Sequence, residues 1–244
     1  MSLTARRVDR ENRQPRPVTI ETHVAPYAEG SALIATGETR VWCTASIEDR
    51  LPPWLENSSQ GWVTAEYSML PRSTHTRINR NRASGSGRSQ EISRLIGRSL
   101  RAGIDLKRIG SRTITVDCDV LQADGGTRTA AITGGFVALQ LALDMLTRTG
   151  TIPRSPVTSR VAAISVGLVA GEIRLDLDYT EDSNADVDFN VVMDSRGNFI
   201  EIQGSAEGQT FNRGQLDAMV DLAETGISEL LQAQQAALAA DRDD

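Results

Sequence analysis

The sequence predicts an α+β fold of two similar halves. Strand-period and helix-period stretches follow one another in the same order twice, each series running from strands to a long helix. The two series are parted by a polar stretch, residues 150–159, that contains Pro153 and Pro156. The expected domains are therefore residues 1–150 and 151–244.

Residues 1–16 are polar, arginine-rich and without period, an arm whose order depends on what it touches. Residues 17–24 read as a first strand. Residues 31–36 and 39–47, joined at Gly37-Glu38, form a hairpin with Val41, Cys43, Ala45 and Ile47 on one face. Pro52-Pro53, Asn57-Ser-Ser59 and Gly61 mark residues 49–61 as a loop, and residues 62–70 return to strand character. Residues 71–87 are basic, polar and end in glycines; with little to bury, they need an ordered partner or stay mobile.

From Ser89 the period becomes helical, with Ile92, Leu95, Ile96 and Leu100 on one face and Glu91, Arg94, Arg98 and Arg101 on another. The second face reads equally as a solvated one. Arg88 stands just ahead of this helix. Residues 113–121 alternate Ile114, Val116, Cys118 and Val120 against Thr113, Thr115, Asp117 and Asp119, a strand with one face in a core. Residues 130–146 are almost wholly small or apolar, a helix packed on most sides. In the second half, residues 161–179 form a hairpin turning at Ala170-Gly171, and residues 189–193 and 199–203 form another across residues 194–198. A helix over residues 213–231 follows, then an Ala/Gln-rich tail expected to fray.

No apolar run approaches the roughly 18 residues needed to cross a bilayer, and the first residues lack the apolar stretch of a secretion signal. A soluble, cytoplasmic protein without membrane contact is expected. Cys43 and Cys118 are the only cysteines, each inside a predicted strand, which excludes a disulfide framework and a Cys-rich zinc site. Net charge is −6, which alone argues against a nucleic-acid binder. Yet residues 72–112 carry eleven basic side chains against Glu91 and Asp105, so a basic segment sits on an acidic body and points to a polyanionic ligand or to acids elsewhere in the assembly.

Two stretches carry chemistry. Gly125-Gly126-Thr127-Arg128 joins the strand over 113–121 to the apolar helix; free N–H groups at a helix start, the dipole behind them and a guanidinium suit a phosphate. The plain alternative is a tight turn with a threonine cap and a surface arginine. Asp178, Glu181, Asp182, Asp186 and Asp188 crowd between the last two hairpins, which suits either solvent exposure or a cation such as Mg²⁺ shared with a phosphate. His23 and His75 are the only histidines, and nothing sets either beside a nucleophile, which disfavours a triad hydrolase. Arginines, glycine amides, a threonine and carboxylates remain, the parts needed for phosphoryl transfer by positioning and charge neutralisation.

Nearly end to end, the chain resembles the ribonuclease PH family of phosphorolytic 3′-to-5′ exoribonucleases, which trim the 3′ ends of tRNA precursors. The resemblance rests on Arg16-Pro-Val-Thr-Ile-Glu21, Gly61-Trp-Val-Thr-Ala-Glu-Tyr67, Met69-Leu-Pro-Arg-Ser-Thr-His-Thr-Arg77, Gly87-Arg-Ser-Gln-Glu-Ile92, residues 117–129, Asn190-Val-Val-Met193 and Gln203-Gly-Ser-Ala-Glu-Gly208, in that order. It implies a ribosomal-protein-S5-domain-2-like fold, a phosphate site of Arg88, Gly126, Thr127 and Arg128, and a metal-binding or acid pair at Asp182 and Asp188. It also implies a basic loop with Arg72, Arg77, Arg80 and Arg82 that contacts tRNA and helps assemble a homohexamer, a trimer of dimers. By the same likeness, inorganic phosphate is co-substrate, nucleoside diphosphates are released and Mg²⁺ is the divalent ion. The alternative is a non-catalytic RNA-binding ring subunit of an exosome-like assembly.

Overall fold

The computed structural model describes residues 7, 10–80 and 86–240. They form two sheets with a layer of helices between them. The first sheet holds β1 (Val18–Thr22), β2 (Gly30–Thr36), β3 (Thr39–Glu48), β4 (Trp62–Met69) and β5 (Thr113–Gln122), ordered β1-β2-β3-β5-β4. All its pairs are antiparallel except β4 with β5, whose connection passes through α1 (Gly87–Ala102) and the short α2 (Leu106–Ile109). The alternation in β3 and β5 sends Val41, Cys43, Ala45, Ile114, Val116, Cys118 and Val120 into the core. Cys43 and Cys118 face each other across the β3–β5 ladder, buried and free.

Against that apolar face lies α3 (Thr127–Arg148), buried on most sides. By length and composition this helix could cross a membrane, contrary to the reading of apolar runs above, but it is spent inside the protein. Two glycines permit the close packing: a Cβ on Gly30 would stand 2.1 Å from the Ala138 carbonyl oxygen, and one on Gly134 2.6 Å from Ile34 Cγ2. On α1, Ile92, Leu95, Ile96 and Leu100 join the same core, as their spacing predicts. The face carrying Arg98 and Arg101 is more than a solvated one. Arg98 forms a forked pair with Glu201 (2.7 Å for each bond), while Arg101 donates to the Val63 carbonyl at 2.8 Å and stacks 4.2 Å over Trp62.

The second sheet runs β7-β6-β8-β9, all antiparallel, from β6 (Val161–Val169), β7 (Glu172–Leu175), β8 (Val187–Asp194) and β9 (Phe199–Ala206). Its β6 is buried on both faces: Val161 and Ala163 meet the α3 side, whereas Ala162, Ile164, Val166 and Leu168 meet α5 (Arg213–Ala240). Ala170 and Gly171 supply two consecutive positive φ values, 52° and 82°, for the β6–β7 turn. At the β8–β9 turn the buried Asp194 accepts from the N–H groups of Arg196 (2.9 Å) and Asn198 (3.0 Å). Burial alone would raise the Asp194 carboxyl, but these bonds and the Arg196 guanidinium lower it to about 2.

One expectation needs correction. The Ala/Gln-rich stretch continues α5 to Ala240 and does not fray: Gln234 is fully buried, with Nε2 donating to the carbonyls of Thr133 and Val161 at 2.9 Å each, and Leu238 packs on Ala32, Val137 and Leu141. Residues 241–244 lie outside the described residues. Within the arginine-rich arm, Arg7, Arg10 and Arg16 are held by long-range ion pairs, in keeping with an order that depends on what the arm touches. Arg7 grips Glu181 through Nε and Nη2 at 2.7 and 2.8 Å, Arg10 Nη2 donates to the Asp176 carbonyl at 2.6 Å, and Arg16 forks onto Asp176 at 2.9 and 2.6 Å. Buried guanidinium and carboxylate groups pair because an isolated buried charge costs several kcal/mol.

Candidate active site

The site begins where β5 ends. Gly125 and Gly126 adopt left-handed backbone, with φ of 72° and 65°, and turn the chain sharply into α3. A Cβ on Gly125 would lie 2.4 Å from the Leu177 carbonyl oxygen, so only glycine passes beneath the segment leading to the acidic stretch. The first helical bond runs from Ala130 N–H to the Gly126 carbonyl at 3.0 Å, which leaves the N–H groups of Thr127, Arg128 and Thr129 ahead of the ladder and at the positive end of the helix.

The capping residue is Gly126 and not Thr127, as the composition had suggested. Gly126 has no side chain with which to cap, and Thr127 is already the first helical residue, so its hydroxyl points elsewhere, to the Tyr67 hydroxyl at 2.8 Å. Burial raises the Tyr67 phenol, which keeps it protonated and able to hold Thr127.

Behind the turn the carbonyl groups are pinned. Thr39 Oγ1 donates to Gly125 O at 2.7 Å and accepts from Asp124 N–H at 2.9 Å; Arg16 Nη1 donates to the Asp124 carbonyl and Nη2 to that of Gly125 at 3.4 Å. Burial pulls the Arg16 guanidinium down, but the bond and charge of Asp176, with Asp124 and Asp178, outweigh it, so its pKa is raised. With the carbonyls tied back, the amides of α3 are left to face the other way. Sequence reading missed Arg16, Thr39 and Tyr67 because each acts on the turn from far away in the chain, Arg16 from the segment before β1 and the other two from β3 and β4. The only signal was that Arg16 and Tyr67 lie inside quoted motifs; Thr39 carried none beyond opening the 39–47 strand.

Arg128, second in α3, is half-buried; its Nη1 donates to Gln203 Oε1 at 2.9 Å and stands 3.8 Å from Glu91 Oε1. Gln203 thereby gains a role that its motif alone did not state. Arg88 differs from the prediction: it is not ahead of α1 but second within it, after the Ser86 cap that accepts from Ser89 N–H at 3.1 Å. Both arginines thus occupy the same position in the first turn of a helix.

Across from them the acidic stretch divides into two sets. Asp178 caps a four-residue helix, α4 (Tyr179–Asp182), in a capping box with Glu181. Glu181 is buried; desolvation would raise it, but its bonds and charges with Arg7 and Arg10 and the Asp178 backbone lower it, so it is a structural ion-pair partner. Asp182 and Asp188 behave oppositely. Burial is the first cause that raises Asp182, the charge of Asp188 the second, and Arg88 and Arg128 oppose both. Asp188 is raised first by burial, with Glu207 adding and Arg128, Arg88 and a 3.2 Å bond from Asn190 Nδ2 opposing.

Arg88, Arg128, Asp182 and Asp188 therefore share one electrostatic neighbourhood, with Glu207 as a third acid that sequence reading did not single out. Among the described residues no three His, Cys, Asp or Glu side chains close into a metal cage. Two desolvated carboxylates beside a helix start with free amides and two arginines nevertheless fit Mg²⁺, which keeps waters and commonly shares one or two carboxylates with a phosphate.

The basic loop's described arginines, Arg72, Arg77 and Arg80, face solvent, and Arg80 lies close enough to Asp119 to lower its pKa, although burial, the larger effect, raises it. Arg82 lies outside the described residues.

Comparison with known proteins follows the same outline. Residues 14–143 match domain 1 of the 3′ exoribonuclease family, and residues 159–226 match domain 2. A protein of Roseobacter denitrificans named Ribonuclease PH is 57% identical over 232 residues, covering 94% of this chain and 98% of its own length. One of the same name from Moorella thermoacetica is 58% identical over 228 residues, covering 93% and 91%. In fold, the chain is similar to a subunit from the Archaeoglobus fulgidus exosome with RNA bound to the active site, with a TM-score of 0.79 at 21% identity over 91% of this chain and 90% of that one. Rice Rrp46 gives a TM-score of 0.76 at 19% identity over 94% and 98%.

Proposed function

The chain belongs to the 3′ exoribonuclease family of ribonuclease PH, and from that premise we propose that Arg88, Gly126, Thr127 and Arg128 seat the inorganic phosphate it uses. It is a phosphate-dependent 3′-to-5′ exoribonuclease that processes tRNA. The observation that carries the assignment of the site is the pairing of two first-turn arginines with two desolvated aspartates around the Gly125-Gly126 turn.

In the reaction, a phosphate oxygen attacks the last phosphorus of the RNA. The bond from that phosphorus to the 3′-oxygen of the preceding nucleotide breaks, releasing a nucleoside 5′-diphosphate and an RNA one residue shorter. Arg88, Arg128 and the α3 amides hold the attacking phosphate and offset the repulsion between two anionic reactants. Asp182 and Asp188, raised by burial, are the groups able to give a proton to the leaving 3′-oxygen. Mg²⁺ held by the same pair would supply further neutralisation of the reacting phosphates when bound. One phosphate linkage replaces another, so the reaction reverses when nucleoside diphosphate is abundant.

Arg72, Arg77, Arg80 and Arg82 supply the tRNA contact, the exposure of the first three and the charge of all four supporting it, and the enzyme works as a cytoplasmic homohexamer, a trimer of dimers. The open edge strand β9, with Phe199 and Ile202 exposed, supports assembly. A non-catalytic ring subunit has less support, because this chain keeps both arginines and both aspartates. The test is a 3′-extended tRNA incubated with Mg²⁺, with and without phosphate. Diphosphates that form only with phosphate uphold the reading, and monophosphates or no products refute it.

A further inference from the structure

Tyr179 is 53% exposed although its neighbours Asp178 and Glu181 are engaged in a capping box and a buried ion network. Its backbone is fixed: Tyr179 N–H donates to Asp124 Oδ1 at 3.2 Å, one residue before the Gly125-Gly126 turn. Asp182 lies three residues on in the same helical turn, so the phenol ring and that carboxylate share a face. The His75 ring, also exposed, stands 6.0 Å from the Tyr179 ring at a tilt of 58°. His75 reaches this place from the opposite side, because its segment is tied to the turn by the bond from Ala123 N–H to the Ser73 carbonyl at 2.8 Å.

Two exposed aromatic rings therefore flank the phosphate turn, one on the acid-bearing helix and one on the basic loop. Neither belongs to an apolar core cluster. A terminal nucleotide whose phosphorus lies between the turn and Asp182 carries its base outward from that point, and an exposed ring tilted against a second ring offers it a π-face. We propose that Tyr179, with His75 beside it, is the stacking platform for the base of the RNA's 3′-terminal nucleotide. Stacking accepts all four bases, which suits an enzyme that must remove whatever residue ends the chain. The platform rests on the phosphorolysis reading and adds to it a contact that senses the base and not the phosphates.

The experiment compares wild type, Tyr179→Ala and Tyr179→Phe on two RNAs identical except that one ends in an abasic nucleotide. Wild type and Tyr179→Phe should prefer the intact RNA by about 5- to 150-fold in kcat/KM, the range expected for one base stacked on an aromatic side chain. Tyr179→Ala should lose that preference by slowing on the intact RNA alone, with the KM for phosphate unchanged. Equal slowing on both RNAs, or a preference that survives Tyr179→Ala, overturns the proposal. The same ratio is read from equilibrium binding of the two RNAs without phosphate. The platform therefore stands or falls there even if no diphosphate is released, an outcome that would instead refute the phosphorolysis reading.

Discussion

Replacing Arg16 with alanine tests whether the phosphate turn is held from behind. The Arg16 and Asp176 side chains are 7% and 4% exposed, and the guanidinium bonds Asp176 twice as well as the Asp124 and Gly125 carbonyls. Arg16→Ala leaves a buried carboxylate whose remaining side-chain cation is Arg10, at 3.5 Å. Removing one partner of a buried pair costs about 3–5 kcal/mol. For a chain of this size that lowers the thermal midpoint by roughly 6–20 °C. The variant should also lose the upward shift of the midpoint that phosphate gives the wild type, and its KM for phosphate should rise more than its KM for RNA. Arg16→Lys keeps the charge but not the fork, and should fall between. A midpoint within about 2 °C of wild type, with phosphate stabilisation intact, would refute the reasoning.

Further outcomes are specific to single groups. Arg128→Ala should cut phosphate-dependent shortening by about 10²–10³-fold while tRNA binding, measured by filter retention, stays near wild type; equal loss of both would mean that Arg128 has another role. Asp188 is raised above its ordinary 3.8, so the folded protein holds a proton that the unfolded chain releases, and stability falls as pH rises from that value through the folded one. Asp188→Asn should therefore raise the thermal midpoint at neutral pH while turnover drops. Mg²⁺ should stabilise the wild type but not this variant, and a Mg²⁺ response that survives the substitution would count against Asp188 as a ligand. Neutralising Arg77 and Arg80 together should weaken RNA affinity and flatten the slope of log affinity against log salt by roughly 1–2, or dissociate the proposed hexamer; an unchanged slope with unchanged solution mass would place RNA elsewhere.

What could be read from the sequence depended on range. The period-2 faces of β3 and β5 and the 3.6-period face of α1 were legible because each is decided by residues a few positions apart, and the β6–β7 turn because Ala170-Gly171 is punctuation of the same kind. Contacts spanning more than a hundred residues were not. Glu181 and Asp182 are adjacent carboxylates, yet one is consumed by Arg7 and Arg174 while the other faces Arg88 and Arg128, a division that follows from the orientation of α4. For the arm, the sequence said only that order depends on contact, because arginine carries no period; the contacts of Arg10 and Arg16 are Asp176 and Glu181, some 160 residues away. The α5 extension was hidden for a similar reason: a polar residue, Gln234, interrupts the apolar stripe between Leu230 and Leu238 and is held by two distant backbone carbonyls. At the site, spacing located the glycine pair and both arginines, but the cap moved from Thr127 to Gly126 because two consecutive left-handed residues complete the turn before threonine is reached.

The account rests on orthophosphate as the attacking group at the start of α3. Supplying phosphate labelled with ¹⁸O and analysing the released nucleotides by mass spectrometry tests this most directly. The label should appear in the β-phosphate and the α–β bridging oxygen of nucleoside diphosphates and be absent from the non-bridging oxygens of the α-phosphate, with no release when phosphate is withheld. Unlabelled monophosphates formed at the same rate with or without phosphate would contradict it.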